Sequence, residues 1–167
     1  MKIKEKICLA LALVTFGCVG LASCDGGNGD ENSKATNVTN EAVDVTAVAD
    51  QLKNDIEYVD GLTELSPEMV EKLFGLAQGA DYKAGKVYVG SGGATAEEIA
   101  CFEANDADGA VKIKETLEQR IESQKVAFEN YQPQEMDKLN SPVLVVDGNC
   151  VFMCISDDNA KAQEIIG

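Results

Sequence analysis

Residues 88–106 read YVGSGGATAEEIACFEAND, and the reading of this stretch decides the fold. A phosphate-cradling loop needs backbone amides converging on a helix N-terminus, usually with a Lys or Arg reaching the charge. Here Glu97 and Glu98 follow the glycines, and no Lys-Ser/Thr pair does. At close range in a partly screened site, each carboxylate would repel a phosphate by roughly 4 kcal/mol per unit charge. The stretch therefore reads as a turn between two strands, at Lys86–Val89 and Glu98–Ala104. In that reading Gly90, Gly92 and Gly93 supply backbone angles that residues with a Cβ resist, and Thr95 and Glu98, at capping-box spacing, close one helical turn.

Working outward, Ala110, Ile113, Leu117, Ile121, Gln124 and Phe128 recur every three or four residues, predicting a long helix from Asp106 to about Tyr131 that Pro133 stops. Beyond it, Val143–Val146, the Asp147-Gly148 turn and Asn149–Ile155 form a hairpin pattern, and Ser156 or Asp157 caps a last helix to Ile166. Upstream, Val45, Val48, Ala49, Leu52, Ile56 and Val59 fall on one helical stripe that Gly61 ends. Ser66-Pro67-Glu68 opens a short helix with Val70, Leu73, Phe74 and Ala77 inward. The order α-α-β-β-α-β-β-α indicates an α+β domain, its largely antiparallel sheet of about four strands packed with helices. Because Cys150–Ile155 is apolar on both faces, that strand is expected to be covered on both sides.

The N-terminus has a different character. Lys2, Lys4 and Lys6 precede an apolar run from Ile7 to Leu21, too short to span a ~30 Å hydrocarbon layer as a helix. The run ends in Leu21-Ala22-Ser23-Cys24, which resembles a bacterial lipobox. That resemblance implies a signal peptide over residues 1–23, cleavage before Cys24, diacylation of its thiol and acylation of the new amine. By the sorting rule of double-membraned bacteria, Asp25 after the cysteine implies retention at the inner membrane. Residues 25–42, DGGNGDENSKATNVTNEA, lack aromatics and nearly all large aliphatics and read as a tether. As a flexible coil it holds the domain about 20 to 25 Å from its anchor. Residues 24–42 are thus lipidated cysteine and tether, and residues 43–167 form one domain.

The precursor carries 14 basic and 29 acidic residues, net -15, and removing residues 1–23, with three Lys and one Glu, takes it to -17. So acidic a chain has no basic stripe to release counterions from DNA or RNA, and no nucleic-acid partner is expected. The expected partners are the membrane, through the lipid, and an envelope protein or small ligand.

Three segments, YVGSGGATAEEIACFEA, VKIKETLEQRIESQKVAFENYQP and VFMCISDDNAKAQEII, together resemble a family of bacterial lipoproteins built on domain of unknown function 4358. The family's usual loop is Gly-Ser-Gly-Ala, from which the additional glycine, Gly92 or Gly93, departs. The resemblance implies an anchored extracytoplasmic domain and supplies no substrate, cofactor or catalytic residue.

Candidate chemistry is sparse. The chain contains no histidine, which removes imidazole bases, His-built zinc sites and His-assisted cysteine chemistry. Ser91 could act as a nucleophile only with Lys83 or Lys86 as its base. Cys101, Cys150 and Cys154 lack redox or metal spacing; they read as buried small hydrophobes, with a disulfide from Cys101 to either of the others as the alternative. In Ala104–Glu115 the residues Asp106, Asp108 and Glu115 fall on places of an EF-hand loop, but Ala104 holds the first ligand place, and Asn105 or Asp106 serves better as a helix cap. The reading is a lipid-anchored binding or interaction module on the outer face of the bacterial cytoplasmic membrane, not an enzyme and without a cofactor. The alternatives are a carboxylate-based cell-envelope hydrolase and a scaffold subunit of an envelope complex.

Overall fold

The computed structural model describes residues 43–167. The expected signal peptide over residues 1–23, the expected lipidation of Cys24 and the expected tether all fall outside the described residues. In chain order the elements are α1 (Val45–Asp55), β1 (Leu62–Glu64), α2 (Pro67–Phe74), β2 (Tyr82–Gly90), β3 (Glu98–Ala104), α3 (Ala107–Phe128), a 3-10 turn (Pro133–Glu135), α4 (Met136–Asn140), β4 (Val143–Asp147), β5 (Cys150–Ile155) and α5 (Asn159–Ile166). The five strands form one antiparallel sheet in the order β1-β2-β3-β5-β4. The domain is α+β, as the hydrophobic periodicity indicates.

Strand alternation sorts the core into two layers. Val87, Ala100, Phe102, Ala104, Val151, Met153 and Ile155 face α2, α3 and α4, whose Val70, Phe74, Ile113, Leu117 and Leu139 complete that side. Tyr88, Ile99, Cys101, Phe152 and Cys154 point the other way, against Val45, Ala49 and Leu52 of α1 and Ala162 of α5. The central strands β3 and β5 are therefore covered on both faces, as the apolar run at Cys150–Ile155 predicts. Cys101, Cys150 and Cys154 are free thiols on one face; the residue directly opposite Cys101 is Phe152, with both other cysteines diagonal to it. Burial pushes the Cys101 and Cys154 thiols up from their ordinary pKa.

Helix boundaries follow their caps. Asp44 accepts from the Thr46 and Ala47 amides at the start of α1, Ser66 from Met69 at α2, Asp106 from Gly109 at α3, and Asp158 from Lys161 at α5. Several expectations are corrected. The sheet has five strands rather than four, because Leu62–Glu64 pairs with Tyr88–Gly90, a partner that three residues of pattern cannot announce. Helix α1 stops at Asp55, and Val59 is exposed because the carboxylate of Glu97 captures the Val59 and Asp60 amides in a loop. Helix α2 ends at Gly75 in the left-handed region (φ 68°), which leaves Ala77 beyond it, and Leu73, within the helix, is on the surface rather than inward. The last helix is capped by Asp158 rather than by Ser156 or Asp157.

Gly85 of β2 packs tightly against its cross-strand partner Phe102 on β3. A Cβ there would lie 2.5 Å from Cδ1 of Phe102 and 3.1 Å from the Cys101 carbonyl oxygen. The Phe102 ring cannot yield, being fully buried and packed edge-on by Tyr82 and Phe74 with centroids at 4.9 and 6.4 Å. Gly85→Ala is therefore expected to lower unfolding stability by about 1–3 kcal/mol, measured by urea titration; an unchanged midpoint would show that the strand relaxes freely. In native buffer Cys101 and Cys154 should resist iodoacetamide while the half-buried Cys150 reacts slowly, with three thiols of the domain titrating after denaturation.

Candidate functional site

The glycine loop between β2 and β3 forms one wall of a cleft of about 290 Å³ against α3. Its lining includes Gly90, Gly93, Thr95 and Ala96 from the loop, Arg120, Ser123, Gln124, Ala127 and Phe128 from α3, and Leu73 from α2. The loop contains no helical turn, so Thr95 and Glu98 are not a capping box: Glu98 belongs to β3 and the Thr95 hydroxyl has no partner among the described residues. Among its glycines only Gly93 has a positive φ (66°). Gly90 and Gly92 are required for space instead, since a Cβ would meet Thr95 Oγ1 at 2.8 Å and Asp60 Oδ2 at 2.7 Å respectively. The Asp60 carboxylate fastens the loop from outside, accepting from the Gly92 amide and from the Ser91 hydroxyl at 3.3 Å. Ser91 thus bonds to an acid, while Lys83 pairs with Glu103 and Lys86 with Asp50, so no Ser-Lys pair is assembled.

The floor of the cleft is an ion pair. Glu98 has the strand parity of Ala100 and Phe102, which turns its carboxylate inward to 1% exposure beneath α3. There Arg120 Nη2 donates to Oε2 at 2.8 Å and Nε lies 3.2 and 3.3 Å from the two oxygens. Gln124 Nε2 adds a bond at 2.6 Å to Oε2. Arg120 and Gln124 are four residues apart and so share one face of α3. Burial pushes the Glu98 carboxyl above the usual glutamate value, opposed by the Arg120 charge and the Gln124 bond. The guanidinium also lies over the Phe74 ring, 5.8 Å from its centroid.

Glu97 points elsewhere, into a second buried network. Its Oε1 accepts from the Val59 amide at 2.9 Å and from Lys138 Nζ at 3.0 Å, and its Oε2 accepts from the Asp60 amide at 3.1 Å. Lys138 Nζ also meets Glu135 at 3.2 Å and the exposed Asp157 at 3.2 Å. Glu135 in turn accepts from the Ala96 amide at 2.9 Å. Burial of Glu97 would raise its pKa, but the two amides and Lys138 outweigh it and hold the carboxyl below the usual glutamate range. Burial would lower Lys138, but Glu97 and Glu135 reverse that and hold the ammonium above the ordinary lysine value.

Asp106 is the N-cap of α3, and Asp108 and Glu115 lie within that helix rather than in a loop, so the EF-hand geometry is not formed. No group of three or more acid, cysteine or histidine side chains placed to hold a metal occurs among the described residues. Sequence reasoning missed Arg120, Glu135 and Lys138 as site residues and misjudged Glu97 and Glu98 as carboxylates facing an anion. One signal was present: Glu98 at an inward strand position and Gln124 on the apolar stripe of the long helix are polar groups that need buried partners.

The family model for Domain of unknown function (DUF4358) matches residues 54–156. The chain belongs to this family. No curated protein and no solved structure matches the chain. The matched DUF4358 span includes the glycine loop, Glu97, Glu98, Arg120, Gln124, Glu135 and Lys138.

Removing the Lys138 charge leaves Glu97 and Glu135 buried and uncompensated. Lys138→Met is expected to cost about 3–5 kcal/mol at neutral pH. The sign of its pH dependence follows from the shifts. The Glu97 contribution is complete above the ordinary value of 4.5 and is lost as pH falls through the lower folded value. The Lys138 contribution is complete below the ordinary value of 10.5 and is lost as pH rises through the higher folded value. The variant's deficit should therefore be widest between those limits and shrink as acid protonates the carboxylates. A deficit independent of pH in urea titrations would mean that packing, not charge, is what Lys138 supplies.

Proposed function

We propose that the protein is a lipid-anchored extracytoplasmic binding domain, held by acyl chains on Cys24 at the outer face of the bacterial cytoplasmic membrane, with the cleft between α3 and the glycine loop as its ligand site. What supports the anchor is the lipobox-like Leu21-Ala22-Ser23-Cys24 after a short apolar run, with the polar stretch 25–42 as tether. Among the described residues no helix is long and apolar enough to cross a membrane. The observation that carries the binding reading is the cleft floor. Glu98 is locked by Arg120 and Gln124, while one guanidinium nitrogen of Arg120 has no partner among the described residues. Such a floor offers directed hydrogen bonds rather than a free acid and base.

The carboxylate-hydrolase alternative is favoured by one observation, the raised Glu98 carboxyl at a cleft. It requires a second carboxylate free to act. The other carboxylate lining the cleft, Glu97, has both oxygens taken by Val59, Asp60 and Lys138.

Cells fed radiolabelled palmitate should incorporate it into the wild-type chain and not into Cys24→Ala, and the variant should leave the membrane fraction. Membrane retention of an unlabelled Cys24→Ala chain would refute the anchor. Crosslinking in intact cells should return a recurrent partner or ligand adduct mapping to α3 or the glycine loop; a chain that repeatedly appears alone refutes the binding role.

A further inference from the structure

We propose that the surface running from the cleft along α3 docks a basic amphipathic helix of a partner protein, its apolar face against α2 and its cationic face against Glu115 and Glu122. This deepens the binding role above by naming the class of partner, and it rests on that role. The cleft is not isolated. A second recess, about 270 Å³, lies between α2 and α3 and shares Leu73, Arg120 and Ser123 with it. A third, on the outer side of α3, shares Gln119 and Ser123 with the second and is otherwise lined by Glu115, Glu118 and Glu122. All three meet at Ser123, which is small and exposed. The groove formed by the first two follows α3 from Thr116 to Phe128, about 18 Å of helix.

One bank of the groove is apolar and uncovered. Leu73 is 40% exposed, and Met69, one turn earlier on α2, continues its row at 45%, while Val70 and Phe74 of the same helix reach the core. Helix α2 thus has a second apolar face, unpartnered among the described residues. The floor offers no free charge, because Arg120 is paired with Glu98 and lies over the Phe74 ring. The other bank is acidic. At about 100° per residue, α3 presents Arg120, Ala127 and Ser123 in turn, then Gln119, Val126, Glu115 and Glu122 further round. Val126 is 76% exposed. Glu115 has no ion-pair partner among the described residues, and Glu118 and Glu122 pair only with Lys114 and Lys125 of the same helix. Such surface pairs contribute little, so a partner's cations can replace them.

This layout selects the occupant. It must offer apolar groups on one side of the Ser123 ridge and positive charge on the other. A helix laid over Ser123 does both when its apolar and basic faces adjoin. A small cation meets the acids alone, and a second copy of this chain, with the same net charge of -15, is repelled. At about 290 and 270 Å³, the two recesses beside α2 fall just below the ~300–1,000 Å³ usual for small-molecule sites and suit the side chains of a longer segment.

Fluorescence anisotropy with the full chain in phosphatidylcholine nanodiscs, empty discs subtracted, tests the assignment. The probe is a labelled peptide of Leu and Lys, about fourteen residues or ~20 Å as a helix, with one apolar and one basic face. One companion is scrambled so that neither face forms, and the other has Glu for every Lys. The two-faced basic peptide should bind, and both companions at least about tenfold more weakly. Ser123→Arg, at the exposed junction, should abolish binding without moving the urea midpoint. Glu115→Lys/Glu122→Lys should weaken it about tenfold, while Asp55→Lys/Glu57→Lys, the same charge change at exposed positions at the end of α1, should alter it less than about twofold. Equal binding by the scrambled peptide would overturn the amphipathic helix as occupant. Binding that persists in Ser123→Arg, or equal weakening by the two double variants, would overturn the groove as its place. No binding by any peptide would overturn the inference, while an adduct still recovered by crosslinking in cells would leave the binding role standing.

Discussion

The domain depends on one buried ammonium group. Lys138 sits at 5% exposure, and its nitrogen is within 3.2 Å of three carboxylates contributed by the glycine loop, the turn before α4 and the loop after β5. Stripping a lysine of water costs several kcal/mol, and so does stripping Glu97 and Glu135; the group is tolerable only because every member is paired and hydrogen-bonded. The arrangement has a geometric product. Through Glu97 it holds the amides of Val59 and Asp60, and through Glu135 the amide of Ala96. The loop after α1, the glycine loop and α4 are therefore tied to one another, though they are distant in sequence.

These ties support the cleft. Asp60, whose amide is held by Glu97, turns its carboxylate onto the Gly92 amide, so the glycine loop is fastened at both ends. Opposite it, α3 is fixed to the sheet by Ile113, Leu117 and Ile121 and by the Glu98 pair with Arg120. Adjacent acids thus serve opposite sides of the chain: Glu97 organises the backbone of the loops, and Glu98 forms the ion-paired floor of the cleft. Strand alternation is the reason neighbours can do this.

Much of the architecture was legible from hydrophobic spacing. The stripe through Ala110, Ile113, Leu117 and Ile121 and the doubly apolar β5 carry their own local signal and the structure agrees with both, while the hairpin turn falls one residue later than expected, at Gly148-Asn149, because Asp147 pairs with Cys150. What was not legible lacked that signal. Strand β1 exists because β2 offers it an edge, and the α1 terminus because Glu97, some forty residues later, captures its following amides. The site was missed for the same reason. Glu97 and Glu98 look like surface acids in a strongly acidic chain, and only the approach of Lys138 and Arg120 from distant helices makes them interior groups.

The two margins of the sheet have a colloidal meaning. One is β1, only three residues long and ending in Glu64; the other is β4, five residues ending in Asp147, with Val146 turned to solvent. Brevity on one side and like charge on both discourage a neighbouring copy from docking its own strand and propagating a fibre. A chain packed densely with its own kind can thereby stay discrete.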